Sequence, residues 1–258
     1  MTSTPFQQAP SAGSLERLIQ LPSRALRWAR RKATRALGRD YTDLGERVDI
    51  IYKEPVRFDG LDMYQKSHFR RYQFACGLLR PDMAAGDLAC GTGYGTAMLA
   101  SVARLARGYD ISPVIEVVRA RYAAIANVSF QQADILGLDE EAAFDAVVSF
   151  ETLEHFPPDL VVEVLRKFHS MLRADGLLVL STPFNQEETP ASRRHHRSFR
   201  ITEKVLAGWL AAAGFSVDRI LYQNYQSHEI QEELSVKDFM VAVCRKVPGA
   251  QGAGHESG

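Results

Sequence analysis

DLACGTGYGTAML, residues 87–99, joins a short apolar stretch to a helical one through glycines at alternate positions, Gly91, Gly93 and Gly95. Asp87 precedes the glycines and Ala97, Met98 and Leu99 follow them, which reads as a strand turning into a helix. A glycine turn of this kind lets a ligand approach the backbone closely at the start of a helix. The fold is read outward from this turn.

On both sides, short apolar runs alternate with helical patterns. MYQKSHFRRYQFACGLLR suggests a helix leading into the domain, GDLAC a first strand, TAMLASVA a helix and LARGYD a second strand. SPVIEVVRARYAAI reads as a helix capped by Ser112 with Pro113 at its first position. VSFQQAD and FDAVVSFE follow as strands, DLVVEVLRKFHSMLR as a helix stopped near Gly176, and GLLVLSTP as a fifth strand. ITEKVLAGWLAAAG is a helix ended by Gly214, and FSVDRILYQN and KDFMVAVCRKV are the last two strands, with no helix between them. The alternation predicts a Rossmann-like, doubly wound α/β sheet of seven strands, mostly parallel, with an antiparallel last strand. Residues 61–246 form this domain, residues 1–60 a helical arm and connector, and residues 247–258 a Gly-rich disordered tail.

The 258 residues suffice for one sizeable domain with an extension, and 46 % hydrophobic with 24 % charged residues is the profile of a globular protein. Three scattered cysteines, Cys76, Cys90 and Cys244, suggest neither a disulfide framework nor a zinc site, and fit a reducing cytoplasm. No stretch reads as a membrane span or a signal peptide. The overall charge balance hides a basic arm: residues 1–40 carry eight Arg and Lys against Glu16 and Asp40. Its apolar residues recur at helical spacing, divided at Pro22, so the arm is a candidate for peripheral contact with the inner face of a membrane.

Ligands of a doubly wound sheet bind beyond the carboxyl ends of the strands, at the switch point. A dinucleotide fingerprint would put its third glycine at Thr96, whereas here it stands at Gly95. Asp110 ends the second strand, where a carboxylate can accept from ribose hydroxyls, and Asp134 follows the third, within reach of an adenine amine. Asp87 near the strand end repels a pyrophosphate but suits a sulfonium, which favours S-adenosylmethionine over NAD.

GDLACGTGYG, GYDIS, QQADILGL, FDAVVSFETLEHF and LRADGLLVLSTPFN, taken in this order and spacing, resemble the class I S-adenosylmethionine-dependent methyltransferases, in particular their small-molecule and saccharide branch. Ala89 stands where a glycine is commoner in that family, and the arm lies outside the resemblance. The resemblance implies that Asp87, Ala89, Gly91 and Gly93 contact the methionine part of the cofactor. It likewise implies Asp110 with Ile111 at the ribose, Asp134 with Ile135 at the adenine, and Phe150 and Glu151 lining the cofactor.

Methyl transfer from a sulfonium needs the acceptor atom held in line about 3 Å from the methyl and relieved of any proton. Histidine is the natural base near neutral pH, and His155 and His195 are the candidates, both near converging strand ends. His195, Arg197 and Phe199 match a His-x-Arg-x-Phe pattern of related methyltransferases. Tyr64, His68, Arg71 and Tyr72 from the leading helix, with His196 and Arg197, are candidate acceptor contacts, while His228 and Glu229 read as solvated. No carboxylate and histidine cluster shows metal-ligand spacing, so no metal is expected.

The function read from this is methyl transfer to a hydroxyl of a small molecule or saccharide, such as a cell-surface polysaccharide or natural-product glycoside. The His- and Arg-rich segment 185–199 suits a polar or anionic acceptor. The alternative is N-methylation of an amino sugar or small amine. A nucleic-acid binder is disfavoured, because the remainder of the chain is acidic and SFETLEHF stands where an NPPY-like motif would be needed. A catalytically silent cofactor-binding protein is disfavoured by the intact glycines and acids.

Overall fold

The computed structural model describes Val48, Ile50 and residues 57–247. The basic arm and the Gly-rich tail therefore lie outside the described residues, apart from the end of the connector. The described elements are α1 (Met63–Cys76), β1 (Ala84–Leu88), α2 (Tyr94–Ala100), β2 (Leu105–Asp110), α3 (Ile115–Arg121), β3 (Val128–Gln132) and β4 (Phe144–Phe150). They continue with α4 (Pro158–Met171), β5 (Leu172–Pro183), α5 (Glu203–Ala212), β6 (Phe215–Gln223), β7 (Ile230–Gln231) and β8 (Phe239–Lys246).

The strands form one sheet in the order β3-β2-β1-β4-β5-β8-β6-β7. β1 to β5 pair in parallel, and β8 lies antiparallel between β5 and β6, as the two successive final strands led one to expect. The sheet has eight strands rather than seven. The extra one, β7, pairs only Ile230 and Gln231 with the end of β6, too short for any alternation to be read from sequence.

Alternate residues of the central strands enter two cores, one on each face. Ala85, Val148, Val179 and Val241 pack on the face covered by α1, α2 and α3. Ala84, Val147, Leu178 and Ala242 pack on the face covered by α4 and α5. Helix α4 shows why: Val161, Val164, Leu165, Phe168 and Met171 recur every three to four residues and are fully buried. Each large side chain so buried contributes roughly 1.5–3 kcal/mol.

Helix α1 starts on a capping box, with Asp62 accepting from the Gln65 amide and Gln65 accepting from the Asp62 amide. Helix α3 is shorter than SPVIEVVRARYAAI predicts. Residues 112–114 form a turn, in which the Ser112 hydroxyl accepts from the Val114 amide, before the helix begins at Ile115. Among the described residues no helix is long and apolar enough to cross a membrane.

Candidate active site

The order of the sheet reverses between β1 and β4, and the functional candidates gather beyond the carboxyl ends of these strands. The glycine loop leaves β1 through Ala89, at φ 60°, and Gly91, at φ +55°. For Ala89 this left-handed conformation costs on the order of 1 kcal/mol relative to glycine. A Cβ on Gly91 would meet nothing within 4 Å, so the loop leaves open space there. A Cβ on Gly93 would lie 2.4 Å from Val118, so Gly93 serves the seating of α2 on α3.

Asp110 is the hub of the loop. Its carboxylate accepts from the Gly91 amide at 2.9 Å and from the Ser112 amide at 2.8 Å. A carboxylate has about four acceptor sites, so ribose hydroxyls can be received beside these amides. The open space at Gly91 beside the Asp110 carboxylate thus fits a nucleoside with vicinal hydroxyls. Asp134 is exposed, with its carboxylate accepting from the Leu136 amide at 3.0 Å, and Ile135 beside it is buried. Ile111 is half-buried next to Asp110.

Asp87 does not offer its carboxylate to the open side of the loop. Its two oxygens accept from the Tyr72 hydroxyl at 3.0 Å and the Thr96 hydroxyl at 2.6 Å, and it is fully buried. Tyr72 correspondingly is no acceptor contact. Its ring packs edge-on against Tyr94 and Phe150, and a Cβ on Gly95 would lie 2.0 Å from it. The third glycine therefore makes room for the tyrosine that holds Asp87, a long-range relation the loop sequence does not reveal.

Burial raises the Asp87 pKa to about 7, although the two hydroxyl donors oppose the shift. Between the unfolded carboxyl value near pH 4 and pH 7 the native state thus holds a proton that the unfolded chain releases. Stability should fall as pH rises through this window, by on the order of 3 kcal/mol for this group. In Asp87→Asn the slope should be reduced, as read from denaturant midpoints at pH 5 and pH 7. It should not vanish, because burial and the nearby Glu151 also raise Glu154.

At the end of β4, Glu151 adopts φ 50° and turns its carboxylate to Arg71, 3.2 Å away, and to the Ser181 hydroxyl, 2.6 Å away. Arg71 is completely buried. It donates to Gln223 at 2.7 Å and to Ser181 at 3.3 Å, and its guanidinium lies 4.0 Å over the Phe239 ring. Arg71 is therefore a structural clamp between α1, β4, β5 and β6 rather than an acceptor contact. Of the other α1 candidates, Tyr64 is exposed against Tyr225, and His68 is half-buried, its pKa lowered by burial and by Arg71. His228 is half-buried and shares a 2.9 Å hydrogen bond with Ser67, and Glu229, exposed as expected, pairs with Arg70 at 3.1 Å.

The segment after β5 docks onto the turn after β4 through its backbone. The Arg197 and Ser198 amides donate to the Glu154 carbonyl at 2.7 and 3.0 Å, and the Ser198 hydroxyl donates to the Phe156 carbonyl at 2.7 Å. This brings His196, rather than His195, to His155: the two rings stand edge to face with centroids 5.2 Å apart. His195 contributes its carbonyl, which accepts from His155 Nδ1 at 2.9 Å, while its own buried Nδ1 has no hydrogen-bond partner. His196 Nδ1 donates to Gln186 Oε1 at 2.6 Å.

Glu154, 1 % exposed, joins the pair. Potential ligand atoms of Glu154, His155 and His196 lie within 4.8 Å of one another, a grouping not foreseen when no carboxylate and histidine cluster showed metal-ligand spacing in the sequence. Sequence reasoning missed it because His155 and His196 belong to different loops. Within the segment Arg193 pairs with Glu188, Arg197 donates to the Arg193 and His196 carbonyls and Arg194 is exposed, while just beyond it Arg200 pairs with Glu187.

Residues 86–176 match the family described as a methyltransferase domain. Over 158 residues the chain is 35 % identical to a probable S-adenosylmethionine-dependent methyltransferase of Mycobacterium tuberculosis, covering 57 % of this chain and 55 % of that protein. The chain thus spans about half the length of this curated relative. A ubiquinone biosynthesis O-methyltransferase of Xanthomonas campestris is 24 % identical over 168 residues, covering 58 % of this chain and 69 % of that protein. Among solved structures, the N-methyltransferase NodS of Bradyrhizobium japonicum with S-adenosyl-L-homocysteine aligns with TM-score 0.57 at 19 % identity, covering 82 % of this chain and 97 % of that one. The [4+2]-cyclase SpnF aligns with TM-score 0.59 at 17 % identity, covering 84 % and 93 %. At such identities the likeness concerns the fold, which evidently serves more than one reaction.

Proposed function

We infer that this chain, whose domain is that of a class I S-adenosylmethionine-dependent methyltransferase, methylates a hydroxyl of a small molecule or saccharide. Bound S-adenosylmethionine supplies a methyl group already activated by its sulfonium charge. In this reading Gly91 leaves room for its methionine part, Asp110 and Ile111 receive the ribose, and Asp134 and Ile135 flank the adenine. Phe150 closes the wall beneath, held by Tyr72. Asp87 acts from behind the loop, fixing it through Tyr72 and Thr96.

The observation that carries the choice of a hydroxyl is the state of the two histidines. A ring whose Nδ1–H is committed to an oxygen keeps its lone pair on Nε2, and both His155 and His196 are committed in this way. An alcohol has to lose a proton in the reaction, and a lone pair oriented by its own hydrogen bond can promote that loss, either by taking the proton or by holding a cation that acidifies the hydroxyl. The relative named for O-methylation points in the same direction.

The test is transfer of labelled methyl from S-adenosylmethionine to a panel of phenols, saccharides and amines. Transfer to oxygen, reduced in His155→Ala and His196→Ala with donor binding retained, is the expected result. Transfer only to nitrogen, with a rate that follows the acceptor's own pKa, would replace the O-methylation reading.

A further inference from the structure

We propose that Glu154, His155 and His196 bind one divalent transition-metal ion beside the acceptor position. The role given to the ion rests on the O-methylation reading above; the existence of the site does not. Three observations carry it. The donor set, two imidazoles and a carboxylate gathered within 4.8 Å, is one that borderline ions such as zinc, cobalt or manganese take, with positions left open for a further ligand. Metal–ligand bonds of about 2.0–2.2 Å place ligand atoms up to about 4 Å apart, so little movement is needed.

The second observation is the outer shell. A histidine that ligates a metal usually donates its other ring N–H to a carbonyl or carboxylate, which fixes the ring. His155 donates to the His195 carbonyl and His196 to Gln186 Oε1, while the backbone bonds from Arg197 and Ser198 to Glu154 lock the two loops together. The third is a buried carboxylate oxygen in need of a partner. Glu154 accepts from Thr182 through Oε2 at 3.4 Å, and its Oε1 is buried with no hydrogen bond at all. A lone carboxylate oxygen in such a place is costly, and a cation is what satisfies it.

The ion acts as a Lewis acid on the acceptor hydroxyl. On coordination the hydroxyl releases its proton to solvent. Its oxygen then forms the new bond to the methyl carbon as the carbon–sulfur bond breaks, and the electron pair of that bond stays on sulfur, leaving a neutral thioether. Two imidazole ligands disfavour magnesium or calcium, which prefer oxygen shells.

The experiment uses the full chain, stripped with a chelator and dialysed separately against Co²⁺, Zn²⁺ and Mg²⁺, with metal counted by mass spectrometry. S-adenosylmethionine binding is titrated in parallel. One equivalent of Co²⁺ or Zn²⁺ per chain is expected, with little Mg²⁺ retained. Affinity should be weakened more than about 100-fold in His196→Ala and Glu154→Gln, beyond the effect of losing an outer-shell partner. The Co²⁺ form of the parent should also show two shifted exchangeable imidazole N–H signals, a readout that needs no variant to fold. Absence of bound metal or of those signals, in protein that binds S-adenosylmethionine, overturns the site and leaves the methyltransferase reading standing. Equal metal binding by parent and folded variants also overturns it. Metal binding that the variants lose, in protein that binds no S-adenosylmethionine, upholds the site and sinks the methyltransferase reading instead.

Discussion

Asp110→Ala is expected to lower the affinity for S-adenosylmethionine by about 100-fold in an isothermal titration, equivalent to nearly 3 kcal/mol. Hydrogen bonds to a charged group are worth about 1.5–3 kcal/mol each, and a ribose would lose its carboxylate partner outright. A second contribution comes from within the protein. The Gly91 and Ser112 amides both donate to this carboxylate, so its removal also releases the loop that leaves space for the ligand. Asp110→Asn separates the two effects, because an amide keeps one acceptor but turns an N–H₂ group toward one of these backbone donors. It should bind more weakly than the parent and more tightly than Asp110→Ala. NAD titrated alongside should give no heat; binding of NAD in preference to S-adenosylmethionine would mean that the glycine loop had been misread.

Arg71→Ala should produce the largest loss of stability, about 3–5 kcal/mol, as expected when one partner of a buried ion pair is removed. Glu151, Ser181 and Gln223 would lose their shared donor, and the space over the Phe239 ring would be left empty. For a domain of this size the melting temperature should fall by roughly 10 °C or more. A thermal melt showing a shift of only a degree or two would mean that the clamp is replaceable and that Arg71 is kept for something other than joining α1 to the sheet. Because Glu151 is turned toward Arg71 at the end of β4, next to Glu154 and His155, the variant should also lose activity in its residual folded fraction.

The sequence by itself determined what depends on neighbouring residues. The apolar periodicities of residues 84–88 and 158–171, the capping box at Asp62 and the glycines at 91 and 93 are local signals, and each specifies its own element or turn. Asp110 was legible for the same reason, since a strand end and a fixed distance from the loop place it without knowledge of the rest. The missing eighth strand and the shortened α3 mark the limit of periodicity, because two residues carry no alternation and a proline-led turn resembles a helix start.

The tertiary structure decided which side chains are spent on one another. Tyr72 and Asp87, Arg71 and Glu151, and His155 and His196 are pairs that sequence reading assigned separately to ligands, and in the fold each finds its partner across a helix–sheet or loop–loop contact. The physical reason is that a polar group removed from water must be satisfied by whatever the packing brings near it. What packing brings near is set by the docking of whole elements, here by backbone bonds from residues 197 and 198 to Glu154, and no residue's own neighbourhood in the chain encodes it.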